Sequence, residues 1–178
     1  MTGDNAVAET EHAALERLGE LGMNSAPTTA VSYLYRAVNA VRNHLEQTAL
    51  REPDLTWTAF VVLWVTWVWE EVETRRVAAE AGISKGTLTG VVKTLEARGL
   101  VERNPHPVDG RLVLLRLTAA GDRLVRRISP EFNAEVANVL GGLDERQVGE
   151  LTEMLHGILT RVRGTERPAP EPPSSGTS

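Results

Sequence analysis

Ser84, Lys85, Gly86, Thr87, Thr89, Gly90, Lys93 and Thr94 share one side of a predicted helix whose opposite side is Leu88, Val91, Val92 and Leu95. The polar side carries no carboxylate before Glu96. Short hydroxyls can bond base edges and phosphates, glycines allow a close backbone approach, and ammonium groups neutralise phosphate charge. Arg75 and Arg76 precede this face, and Arg103, His106 and Arg111 follow it. Residues 74–111 hold seven Lys/Arg against four Asp/Glu, a balance of +3 within a chain of net charge −5, so the remainder carries −8. A basic segment on an acidic background points to a local polyanion-binding face.

Such a face needs elements that hold it outward. Residues 74–81 read as a short helix, Gly82-Ile83 as a turn, and Ser84 as the N-cap of a second helix reaching Arg98. Ala78 and Ala79 are small where two helices must touch, and Gly99 stands where the second should end. This is a helix-turn-helix pattern. The following LVERNPHPVDGRLVLLRL places strands at 100–103 and 111–117 around a Pro/Asn/Asp/Gly loop, a hairpin with the form of a wing. The rival reading is a winged-helix module for protein contacts without DNA binding. The outward cations Lys85, Lys93, Arg103 and Arg111 tell against it.

Around this unit the pattern is helical. Residues 6–21 suggest a short amphipathic helix, with a break at Ser25-Ala26-Pro27 and a new helix from 32 to 50. Thr118 caps a long helix in which Ser129-Pro130-Glu131 signals a kink or restart. Gly141-Gly142 ends it, and Asp144 with Gln147 forms a capping box for a last helix. The proline-rich residues 164–178 are expected to be disordered.

All four tryptophans, Trp57, Trp64, Trp67 and Trp69, lie in LTWTAFVVLWVTWVW. This helix is apolar nearly all round, which predicts burial between two layers. Two readings of the tryptophans stand: packed core, or the lining of an effector pocket in which Trp57 and Trp64 are joined by Arg36, Arg42 or His44.

Several classes are excluded. With no cysteine there are no disulfides, thiolate metal sites or thiol sensors. His12, His44, His106 and His156 are scattered without ligand spacing, so neither a metal nor another cofactor is expected. No phosphate loop or nucleophile elbow is present, and an enzyme is not expected. The longest apolar run, residues 60–69, is ten residues against the roughly 20 needed to cross a bilayer. The first residues lack a basic start followed by an apolar block, so a cytoplasmic location is expected.

Over residues 32–162 the chain resembles the multiple-antibiotic-resistance regulator (MarR) family of winged-helix transcription factors. The carriers are LTWTAFVVL, VAAEAGISKGTLTGVVKTLEARGLVER and above all DGRLVLLRLTAAG, an Asp-x-Arg wing followed by Leu-Thr-x-x-Gly. The resemblance implies a mainly α fold with a small β-hairpin wing. It implies an N-terminal extension (1–27), a winged helix-turn-helix domain (55–118) and a helical dimerisation domain (28–54 and 119–163). It further implies a homodimer on a pseudo-palindromic DNA operator, acting as a repressor relieved by a small, aromatic effector. Ser84, Lys85, Thr87, Thr89 and Lys93 would face the duplex, and Arg75, Arg76, Arg103 and His106 would add contacts. Arg111 would enter a minor groove, and Asp109 would brace the wing by pairing with a basic neighbour. Many members carry a second arginine where this chain has Gly110.

Overall fold

The structure, a computed structural model, describes residues 10, 13–109 and 111–165. Residues 13–20 are helical and end in a turn where Gly22 adopts φ +67°, a conformation a Cβ disfavours. Helix α1 (Ser25–Gln47) starts at once, capped by Asn24, whose side chain accepts the Ala26 N–H. The expected break at Ser25-Ala26-Pro27 is therefore absent. Pro27 falls in the first turn, where N–H groups have no intrahelical partner and a proline loses no bond.

Helix α2 (Trp57–Trp69) is capped by the Thr56 hydroxyl and buries Phe60, Val62, Leu63, Val65 and Thr66. These positions cover more than one side of the helix, but Trp64, Val68 and Trp69 are exposed, so the expected burial between two layers is only partial. The buried Thr66 hydroxyl donates to the Val62 carbonyl at 2.7 Å. Strand β1 (Glu71–Glu73), helices α3 (Thr74–Glu80) and α4 (Lys85–Ala97), and strands β2 (Val101–Pro105) and β3 (Val113–Leu117) follow. The sheet is antiparallel, in the order β1-β3-β2, with Glu71 and Glu102 both opposite Arg116. Three strands stand where a two-stranded hairpin was expected. An isolated EVE carries no strand signal, and only pairing of Val72 with Leu115 makes it one. Leu63, Val77, Leu95, Leu115 and Val125 are wholly buried in one cluster, each contributing roughly 1.5–3 kcal/mol.

Helix α5 (Ala119–Val139) runs unbroken through Pro130, so there is no restart there. Val125 and Ile128 are buried before the proline, and Phe132 stacks on Trp57 after it, which anchors both segments. The described residues divide into two units between Val136 and Ala137. In the second unit helix α6 (Glu145–Thr165) opens on a reciprocal capping box: Gln147 N–H to Asp144 at 2.8 Å and Asp144 N–H to Gln147 at 2.9 Å. Residues 164 and 165 of the expected tail are helical, and the rest of that tail lies outside the described residues. Among the described residues no helix is long and apolar enough to cross a membrane.

Candidate nucleic-acid interface

Helix α4 turns Leu88, Val92 and Leu95 into the core, and this orientation sets what faces outward. Ser84, Lys85, Gly86, Thr87, Thr89, Gly90, Lys93 and Thr94 are all exposed. The Ser84 hydroxyl accepts the Thr87 N–H at 3.0 Å and lies 2.9 Å from the Thr87 hydroxyl. Thr89 donates its hydroxyl hydrogen to Lys85 O and Thr94 to Gly90 O, so each presents oxygen lone pairs and a methyl outward. A Cβ added at Gly90 would meet nothing within 4 Å. Within the protein, then, no contact requires glycine there. Gly90→Ala should stabilise the fold by about 1 kcal/mol while weakening DNA binding about tenfold, equal to ~1.4 kcal/mol. Thermal unfolding and a gel shift on the same variant test this; unchanged affinity would remove the close-approach role.

The ends of α4 are tied down from outside. Arg98 donates to Asp54 O at 2.7 Å and Pro53 O at 2.6 Å, fastening the helix C-terminus to the loop before α2. Thr118 donates its hydroxyl to Gly99 O at 2.6 Å and accepts the Gly121 N–H at 3.1 Å. The Leu-Thr-x-x-Gly motif thus docks the start of α5 on the residues just after α4.

In the wing, Arg111 is exposed. The expected brace by Asp109 takes a different form: its carboxylate accepts the backbone N–H of Arg111 at 3.0 Å, and its own carbonyl accepts the Leu112 N–H at 2.9 Å. A loop this tight brings backbone donors nearer to the carboxylate than a side-chain cation. Arg103 lies in β2, as expected, paired at 3.0 Å with Glu96 of α4. Arg75 and Arg76 are exposed but engaged. Arg75 pairs with Glu73; Arg76 pairs with Glu80 at 2.8 Å and stacks 3.5 Å from the Trp69 ring centroid. With His106 they line a cleft of about 500 Å³ behind the wing, floored by Trp69, Val72 and Leu114.

The residues expected to form an effector site each have other neighbours in the structure. His44 pairs with Glu135 at 2.7 Å, Arg42 is exposed, and Arg36 lies beside Thr28, Thr29 and Ser32. Trp57 is half-buried in an aromatic cluster with Phe60 and Phe132, and Trp64 is 40% exposed. A different tryptophan lines a cavity: Trp67, with Thr66, Glu70, Arg116, Asp122 and Arg126, borders about 510 Å³. There the Trp67 N–H donates to Asp122 at 3.2 Å and Arg126 reaches both oxygens of the same carboxylate at 3.1 and 2.9 Å. The Arg126 hydrogen bond lowers the Asp122 pKa, burial opposes it, and the Trp67 N–H assists. The same bond raises Arg126. A lowered carboxyl stabilises the fold above its ordinary pKa and loses that contribution as pH falls through the lowered value. Asp122 and Arg126 are four apart, a legible helix pair, but their meeting with Trp67 has no local signal.

A model of the MarR family matches residues 55–113. The uncharacterized HTH-type transcriptional regulator YwaE of Bacillus subtilis is 31% identical over 158 residues, spanning 87% of this chain and 92% of that protein. The fold superposes on AbsC, a MarR family transcriptional regulator from Streptomyces coelicolor, with a TM-score of 0.71 at 22% identity, covering 80% of this chain and 97% of AbsC. It also matches BpsR of Bordetella bronchiseptica, whose DNA binding is regulated by 6-hydroxynicotinic acid. There the TM-score is 0.67 at 26% identity, covering 73% of this chain and 98% of BpsR. These relatives are regulators rather than enzymes, and with the winged helix-turn-helix and its Leu-Thr-x-x-Gly dock they establish that this chain belongs to the MarR family of transcriptional regulators.

Proposed function

We propose that a homodimer of this chain binds a pseudo-palindromic DNA operator in the cytoplasm and represses transcription until a small aromatic acid releases it. The observation that carries the reading is the exposed face of α4, where eight short polar, cationic or glycine residues stand uncovered among the described residues. Each copy would set α4 in a major groove, with Thr89 accepting from a base amino group, Lys85 and Lys93 on phosphates, and Arg111 in the flanking minor groove. Half-sites would lie about one helical turn apart, roughly 34–36 Å. Selection of bound fragments from genomic DNA, followed by gel shifts at rising salt, tests it. A shared palindrome with steeply salt-dependent affinity is expected; recovery of no sequence above background would refute it.

Dimerisation is supported by exposed apolar side chains: Val31, Tyr35 and Val38 on α1, and Met154, Ile158 and Leu159 on α6. The effector reading follows BpsR and rests on the Trp67 cavity, where an aromatic acid would stack on the indole and compete with Glu70 and Asp122 for Arg116 and Arg126. Titrating 6-hydroxynicotinic acid and substituted benzoic acids should change tryptophan emission. The change should vanish in Trp67→Phe and persist in Trp57→Phe. The reverse pattern would return the site to Trp57 and Trp64.

A further inference from the structure

The wing loop is closed by a histidine side chain. His106 Nδ1 faces two backbone donors, the N–H of Asp109 at 3.1 Å and that of Val108 at 3.3 Å. The His106 N–H itself donates to Leu112 O at 3.1 Å, across the loop. Two N–H groups aimed at one ring nitrogen require it to be unprotonated, which puts the ring hydrogen on Nε2. Asp109, oriented through its N–H, receives the Arg111 N–H on its carboxylate. Imidazole, carboxylate and the wing arginine's backbone thus form a relay.

We propose that His106 is a positioning residue for Arg111 rather than a DNA contact. Its Nδ1 organises the loop as an Asn or Asp side chain does in a turn, and the loop then presents Arg111. Half-buried in the cleft behind the wing, the ring keeps company with Glu71, Glu73, Arg75 and Arg76. The proposal rests on the DNA-binding reading of Arg111 for its effect on affinity, but its structural part can be tested without DNA.

The two roles of the ring use different nitrogens, and this separates them. Asn Oδ1 occupies the place of His Nδ1, whereas a Gln side-chain terminus occupies that of Nε2. On the duplex recovered by genomic selection, His106→Asn should bind within about threefold of the parent, while His106→Ala and His106→Gln should each bind about tenfold more weakly. His106→Ala combined with Arg111→Ala should be no weaker than Arg111→Ala alone, because both act through one contact. Retained affinity in His106→Gln with loss in His106→Asn, or additive losses in the double variant, would overturn the proposal. Without DNA, ¹⁵N spectra should show Nδ1 unprotonated. The Asp109 amide should exchange slowly in the parent and in His106→Asn, and fast in His106→Ala. Equal exchange in all three, or a protonated Nδ1, would also overturn it. Failure of the parent to select any duplex would sink the DNA reading while leaving the NMR result to decide the cap.

Discussion

Gly121→Ala should cost about 3 kcal/mol of stability or more, the upper range for inserting one methyl into packed structure. A Cβ at Gly121 would lie 2.0 Å from Leu100 O and 3.0 Å from Leu100 C. Those atoms are backbone and cannot rotate away. Leu100 O already accepts the Thr118 N–H at 3.1 Å, and Leu100 N–H is held by Leu95 O at 3.0 Å. Relief therefore demands that α5 lift from the end of α4, breaking the Thr118 bond to Gly99 as well. Thermal unfolding at fixed protein concentration should show a large fall in Tm, and DNA affinity should drop with it because α4 loses its dock. A Tm equal to the parent's would mean that α5 does not approach Leu100 this closely. Gly90→Ala, with its opposite sign of stability change, is the natural companion: the same substitution stabilises where space is open and destabilises where backbone fills it.

Arg111→Ala should abolish most operator binding while leaving the fold intact. The side chain is exposed, and what the wing takes from this residue is its N–H, which alanine keeps. One direct base contact is worth about 1–3 kcal/mol. The proposed dimer would lose two, so a fall on the order of a hundredfold or more is expected, with Tm unchanged. Lys93→Ala should instead weaken operator and random duplex alike and reduce the salt slope, as loss of a phosphate contact does. Unaltered operator affinity in Arg111→Ala would place the wing away from the groove. A parallel fall in Tm would show that the variant had damaged the loop rather than the contact.

Much of the framework was legible because it rests on local rules. Ser84 and Thr118 cap helices where hydroxyls precede apolar periodicity, and Asp144 with Gln147 makes the box their three-residue spacing announces. The exposed face of α4 follows directly from the Leu88, Val92, Leu95 spacing. Where the reading failed, a local cue was outweighed by position or by distant partners. Pro27 signals a break only if it falls beyond the first turn, and Pro130 restarts a helix only if nothing anchors both of its sides. Strand β1 exists because β3 lies beside it.

What the order of residues determined by itself was the helix-turn-helix, the wing and the polar surface they expose, since capping, periodicity and turn chemistry act over three to seven positions. Which side chains are free to act was decided only by tertiary structure. Arg103 is taken up by Glu96 of the neighbouring helix, and Arg76, already paired with Glu80 one helical turn on, is stacked on Trp69. Trp67 borders a cavity beside Asp122, which lies 55 positions away along the chain. Partners beyond one helical turn or one tight loop are chosen by distance in space, which local spacing along the chain does not encode.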